Sequence, residues 1–123
     1  MNNKRLLYFY CRDNGKSPIR DYFLGLDSKV QNKIIAYVLL LAERNWRLGM
    51  PYTKHIAGKV WELRVDFNVN FHRLFYFVCD GDKAIFLHGF NKKTNQTPLR
   101  EIEQALKNYN DFSEKLKYQI YEN

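Results

Sequence analysis

From residue 60 onward the chain alternates between apolar and polar side chains, and that alternation commits it to a sheet built from hairpins. In residues 60–67, Trp61, Leu63, Val65 and Phe67 point one way while Glu62, Arg64 and Asp66 point the other, the period of a half-buried strand. Residues 71–79 read as an aromatic strand, Asp80-Gly81 as a two-residue hairpin turn, and residues 84–90 as the returning strand. A type I′ turn at Asp80-Gly81 pairs Cys79 with Asp82. It therefore sets Arg73 opposite His88 and Phe75 opposite Phe86. One face of this hairpin then carries Leu74, Tyr76, Val78, Ile85 and Leu87. A two- or four-residue connection at 68–70 adds Trp61, Leu63 and Val65 to it, which makes a core. The opposite face collects Glu62, Arg64, Arg73 and His88 over Phe75, Phe77, Phe86 and Phe90.

The first half of the chain has a helical period. After a short aromatic strand at residues 6–11 and a turn at Asp13-Asn14-Gly15, Ser17-Pro18 is a cap followed by proline in the first helical position. This helix runs to Leu24 and ends at Gly25. Asp27 or Ser28 caps a second helix, whose apolar positions are Val30, Ile34, Tyr37, Val38 and Leu41; Gly49-Met50-Pro51 stops it. Residues 91–97 form a polar loop containing no strand or helix signal. Thr97-Pro98 repeats the cap-plus-proline start of a helix to about Tyr109, and the charged tail 111–123 is predicted helical from Ser113. The order β-α-α-β-β-β-α predicts one α+β domain over residues 1–123. It is a small, mainly antiparallel sheet with an N-terminal helical hairpin packed on one face and a C-terminal helix.

Composition narrows the function. With 46% hydrophobic and 16% aromatic residues the chain can fill a core. Its longest apolar run, residues 34–42, is half a membrane span and reads as a core helix face, so no membrane partner is expected. Residues 1–11 lack the pattern of a signal peptide, and Cys11 and Cys79 read as reduced thiols, so a cytoplasmic location is expected. The 20 Lys and Arg against 13 Asp and Glu favour a polyanionic partner, the plainer alternative being solubility alone. GxxxxGK[ST], HExxH and GxSxG motifs do not occur, and His, Cys and acidic residues show no ligand spacing. Nucleotide, zinc-peptidase and serine-hydrolase readings thus lack support, and neither metal nor cofactor is expected.

The polar face of the sheet suits one chemistry. RNA is cut without a metal when its 2′-OH attacks the adjacent phosphate. This needs a base, an acid and cations for the charge that builds on phosphorus. Glu62 or His88 can exchange protons, and Arg64 and Arg73 can grip phosphate oxygens. Phe90 and its neighbours can stack splayed bases. Lys54 and Lys59, at the approach to the first sheet strand, and Lys92 and Lys93, just past Phe90, extend a phosphate track. The same residues admit a plainer reading: a surface ion pair of Glu62 with Arg64 or Arg73, and solvated loop lysines.

Three stretches, Lys54-His55-Ile56-Ala57-Gly58-Lys59-Val60-Trp61-Glu62-Leu63-Arg64, Phe71-His72-Arg73-Leu74-Phe75-Tyr76, and residues 87–98 (LHGFNKKTNQTP) running into Glu101, Ile102 and Ala105, resemble the RelE/HigB toxin superfamily, especially its phage-derived HigB-like branch. With the helical hairpin, the resemblance covers residues 5–110. It implies a RelE-like fold and a type II toxin that cleaves mRNA, often on the ribosome. A cognate antitoxin of helix-turn-helix type would silence it, and DNA would be met only through that antitoxin. The resemblance carries the strand arginines to Arg64 and Arg73 and the post-strand basic residues to Lys92 and Lys93. The pattern departs at the proton-transfer positions. The RelE-type site uses several lysines and a late tyrosine, whereas this chain has Glu62 in its first sheet strand and no Tyr between Phe90 and Lys107. Glu62 and His88 are the substitutes the sequence offers. Two alternatives stand beside the enzyme: a ParE-like toxin that binds DNA gyrase without cutting RNA, and a basic RNA-binding module. The clustering of Arg64, Arg73 and His88 favours the enzyme.

Overall fold

The computed structural model describes residues 6–115 and 118–122. Its elements are β1 (Leu6–Tyr10), α1 (Pro18–Leu24), α2 (Ser28–Glu43), β2 (Thr53–Ala57), β3 (Val60–Phe67), β4 (Asn70–Cys79), β5 (Lys83–Asn91), α3 (Leu99–Lys115) and β6 (Tyr118–Glu122). The strands form one sheet in the order β2-β3-β4-β5-β1-β6. Only β1 beside β5 is parallel; the other pairs are antiparallel. This is the expected α+β architecture, with the helical hairpin on one face of the sheet and α3 on the other.

Local chemistry sets the helix starts. The Ser17 side chain accepts the Arg20 N–H at 3.3 Å and donates to the Tyr10 carbonyl at 2.7 Å, so one hydroxyl caps α1 and ties it to β1. Asp27 caps α2 through the Lys29 N–H. That helix ends at Glu43, short of Gly49, because Asn45 and Trp46 turn left-handed at φ 56° and 66°. α3 begins at Leu99, one residue later than expected, with the Pro98 carbonyl accepting the Glu101 N–H.

Two apolar layers enclose the sheet. Ile19, Phe23, Val30, Ile34 and Leu41 of α1 and α2 pack on Leu63, Val65, Leu74, Tyr76 and Phe86. Ala105 and Phe112 of α3 pack on Val60, Phe75, Phe77, Ile85 and Leu87. Each such Val, Leu, Ile or Phe side chain contributes roughly 1.5–3 kcal/mol on burial. The Tyr10 hydroxyl donates to Asp111 at 2.7 Å and joins β1 to the far end of α3.

The strand expectations are corrected in three places. Residues 53–57 are a strand, not a loop, because they pair with β3. The tail is helical through Lys115, and Tyr118–Glu122 is a strand, β6, against β1, not helix; residues 116, 117 and 123 of the expected helix lie outside the described residues. The hairpin register moves by one residue. Asp80 and Gly81 both take positive φ and the Asp82 N–H reaches the Cys79 carbonyl at 3.4 Å, but the ladder opens at Cys79–Lys83 and leaves Asp82 over. Ile85 and Leu87 therefore face α3, and Phe86 faces the helical hairpin. A bulge at Leu87 then resets the register, so that Phe75 pairs with His88 and Arg73 with Phe90, not with His88. The turn at Asn68-Val69 has two residues, as expected, with Phe67 paired to Asn70.

Candidate functional site

The β2-β3-β4 ladder sets Lys54 opposite Glu62 and Arg64 opposite Arg73. Alternation puts all four on the face that α3 covers only in part. The segment between β5 and α3 folds back along this edge, and the Thr97 hydroxyl donates to Glu62 Oε2 at 3.2 Å. Lys54, Glu62, Arg64 and Lys92 line an open cleft of about 380 Å³, with Asn95, Gln96 and Thr97 on one wall and Ile56 and Ile102 on the others.

The electrostatics of the cleft are lopsided. Glu62 is 1% exposed and sits among cations. Burial holds the Lys92 ammonium below its ordinary pKa; Arg73, Arg64 and Lys54 lower it further, and Glu62 opposes them. Two arginines directly opposite across strands repel. Arg73, 3% exposed, is partly neutralised: its Nη1 donates to Asp66 at 2.7 Å and to the His72 carbonyl at 3.1 Å, while its Nε has no acceptor. The site therefore carries more positive charge than its own carboxylates balance, which suits an anionic ligand.

The remaining expected site residues fall elsewhere. His88 is beside Phe75, two strands from Glu62, and its Nε2 is 2.6 Å from Glu101 Oε1 on α3. Its ring stacks on Phe75 and Phe90 at centroid distances of 6.2 and 6.1 Å. Phe90 stands opposite Arg73. Lys93 acts on His72 and does not line the cleft. Lys59, at the β2–β3 turn, lines a separate depression with Trp46 and Trp61. His72 is buried on the helical-hairpin side, 2.5 Å from the Tyr22 hydroxyl. Burial pushes the Tyr22 pKa up to about 12, so this hydroxyl keeps its proton.

Sequence reasoning missed Thr97, Asn95 and Gln96 as cleft walls and Asp66 and Glu101 as partners of Arg73 and His88. Thr97 read as a helix cap, and the density of amide side chains in residues 91–97 was the available signal. Among the described residues, no three His, Cys, Asp or Glu side chains converge as metal ligands, and no helix is long and apolar enough to cross a membrane.

Fold and cleft together define a small basic α+β protein with an anion-attracting groove at one edge of its sheet. The family model for phage derived protein Gp49-like (DUF891) matches residues 21–110, a span that includes every residue lining the cleft. The chain belongs to this Gp49-like family, a phage-derived family of toxin-like proteins. No curated protein matches the chain.

Proposed function

We propose that this chain is the toxin of a type II toxin–antitoxin pair of RelE/HigB type, and that its cleft cleaves mRNA, on the ribosome, without a metal. The observation that carries this reading is the crowding of Lys54, Arg64 and Lys92 around one buried carboxylate, Glu62, with Arg73 buried beside Arg64 and outside the cleft lining. In the proposed step Glu62 takes the proton of the 2′-OH, and the O2′–P bond forms. Arg64 and Lys54 hold the charge that builds on the phosphate oxygens, and buried Arg73 adds its field from beside Arg64. The P–O5′ bond breaks, and Lys92, whose proton is held less tightly than an ordinary lysine's, gives it to the leaving oxygen. The products are a 2′,3′-cyclic phosphate and a 5′-hydroxyl. Proton transfer falls to Glu62 and Lys92, not His88, because His88 stands two strands from Glu62 and outside the cleft lining. A cognate antitoxin is the expected partner.

The test is cleavage of a defined mRNA, free and on ribosomes, in EDTA. Cyclic-phosphate ends are expected, and Glu62→Gln slows cleavage by about 10²–10⁴. A folded parent chain that arrests growth yet leaves RNA intact would replace this reading with the gyrase-binding alternative.

A further inference from the structure

Both tryptophans of the chain lie at one depression, on the sheet face away from the cleft. It has a volume of about 430 Å³ and is lined chiefly by Trp46, Arg47, Lys59 and Trp61, with no carboxylate. Trp46 has φ 66° and follows Asn45 at φ 56°, a conformation bulky side chains rarely adopt. Three hydrogen bonds hold it there. Its N–H donates to the Leu41 carbonyl at 2.6 Å, its carbonyl accepts from the Tyr76 hydroxyl at 2.8 Å, and its indole N–H donates to the Gly81 carbonyl at 3.1 Å. Backbone strain held in place this way collects at ligand clamps. Its effect here is to deliver Arg47 to Trp61, with the guanidinium carbon 4.6 Å from the indole centroid. Arg47 and Lys59 are both exposed.

We propose that this depression binds an unpaired RNA nucleotide, its base stacked on the Arg47 guanidinium above Trp61 and its phosphate held by Lys59. Arginine planes and indoles are the surfaces on which splayed bases stack. An acidic peptide would need the cations but not the two indoles or the strained turn that presents them. In a duplex the base is not available to stack. Trp61 and Glu62 are consecutive in β3 and face opposite ways, so a strand passing around the edge at β2 meets both the depression and the cleft. The proposal rests on the RNA-cleaving reading above and extends its substrate contact to the other face of the sheet.

Intrinsic fluorescence reads this site directly, because both indoles line it. The probe is a short 2′-O-methyl oligoribonucleotide, which cannot be cut. Its binding, followed by anisotropy of an end label, should quench the tryptophans with the same midpoint. Arg47→Ala should weaken binding about tenfold, the scale of one lost stacking contact. Arg47→Lys should not rescue it, since an ammonium offers no plane. Lys59→Ala should lower the log–log salt slope by about 0.7. Circular dichroism confirms that each variant is folded. Binding without quenching, or an Arg47→Lys variant that binds like the parent, overturns the proposal. So does quenching by a polyglutamate peptide but not by the oligonucleotide, which would make this a protein-docking surface. Quenching that depends on Arg47 in a chain that cleaves no unmodified RNA leaves the nucleotide site standing and removes the catalytic reading.

Discussion

His88 and Glu101 meet at 2.6 Å across the gap between the end of β5 and the first turn of α3. The segment that brings Lys92 and Thr97 to the cleft is strung between them. On the proposed function, His88 would act as a positioning residue, fixing the base of this loop. Its loss in His88→Ala removes a hydrogen bond to a carboxylate, worth about 1.5–3 kcal/mol. The loop amides should exchange faster and RNA should bind more weakly. His88→Gln keeps a donor and should restore both. A proton-transferring histidine would instead lose about 10²–10⁴ in rate in either variant. Hydrogen exchange and single-turnover cleavage separate the two roles.

Arg73 and Asp66 give a second contrast. Arg73→Ala should slow cleavage by less than the about 100-fold that losing a donor in contact with the phosphate costs, because Arg73 acts through its charge from beside Arg64. Asp66 has 58% of its side chain exposed. Asp66→Asn keeps an oxygen acceptor but leaves the buried Arg73 charge uncompensated, so it should cost more than the about 1 kcal/mol of an exposed pair. With less charge compensation at Arg73, it should tighten RNA binding. Anisotropy titrations and melting curves on both variants check this; weaker binding by Asp66→Asn would show that Asp66 orients Arg73 more than it neutralises it.

Gly89 permits the contact between α1 and β5. A Cβ there would lie 2.9 Å from Ile19 Cδ1 and 3.0 Å from Tyr22 Cδ2. Gly89→Ala should destabilise the fold by about 1–3 kcal/mol, as overpacking does. It should also move the Tyr22 ring, whose hydroxyl reaches His72. Urea unfolding gives the cost, and the His72 ring resonances report the displacement.

His72 makes stability depend on pH. Burial lowers its pKa, Arg73 and Lys93 lower it further, and Asp66 raises it. The unfolded chain therefore takes up a proton at this position more readily than the folded one. Below about pH 6.5 the stability should fall by up to about 1.4 kcal/mol per pH unit until the folded histidine also titrates. Above that pH the contribution is constant. His72→Gln should flatten this part of the profile, measured as the urea midpoint across the acid range.

The strands β3, β4 and β5 were legible because alternation and turn residues agree there. The helix starts were legible through Ser17-Pro18 and Asp27. The split of Ile85, Phe86 and Leu87 between faces was not. It hangs on Asp82, one residue left over beside a turn whose Asp-Gly sequence fits the two-residue form. The bulge at Leu87 undid that error for His88 and Phe90, so Glu62, Arg64, Arg73 and His88 do share a face. Proximity along the strands was beyond alternation: it identifies a face but not how far apart two residues on it lie. Lys54 lay hidden in a five-residue strand of mixed polarity that forms only because β3 offers it an edge. β6 was invisible for the same reason, since its partner β1 lies at the other end of the chain.

The bulge at Leu87 also explains an asparagine in an otherwise apolar seam. A bulge disrupts the ladder locally, and the Leu87 carbonyl accepts the side-chain N–H of buried Asn108 at 2.8 Å, with Gln104 bonded in turn to Asn108 at 2.9 Å. Asn108 follows Glu101 by two helical turns, about 10.5 Å along the axis, on the same stripe of α3. A helix resting on grease alone can slide or roll by a turn at little cost; one keyed at two points cannot. Leu87 and His88, side by side in β5, are the two keyholes. The sheet thus sets the axial address of α3. Replacing Asn108 with leucine would remove one key, leaving a helix that still docks but whose first turn, and the loop it anchors, no longer has a single place to stand.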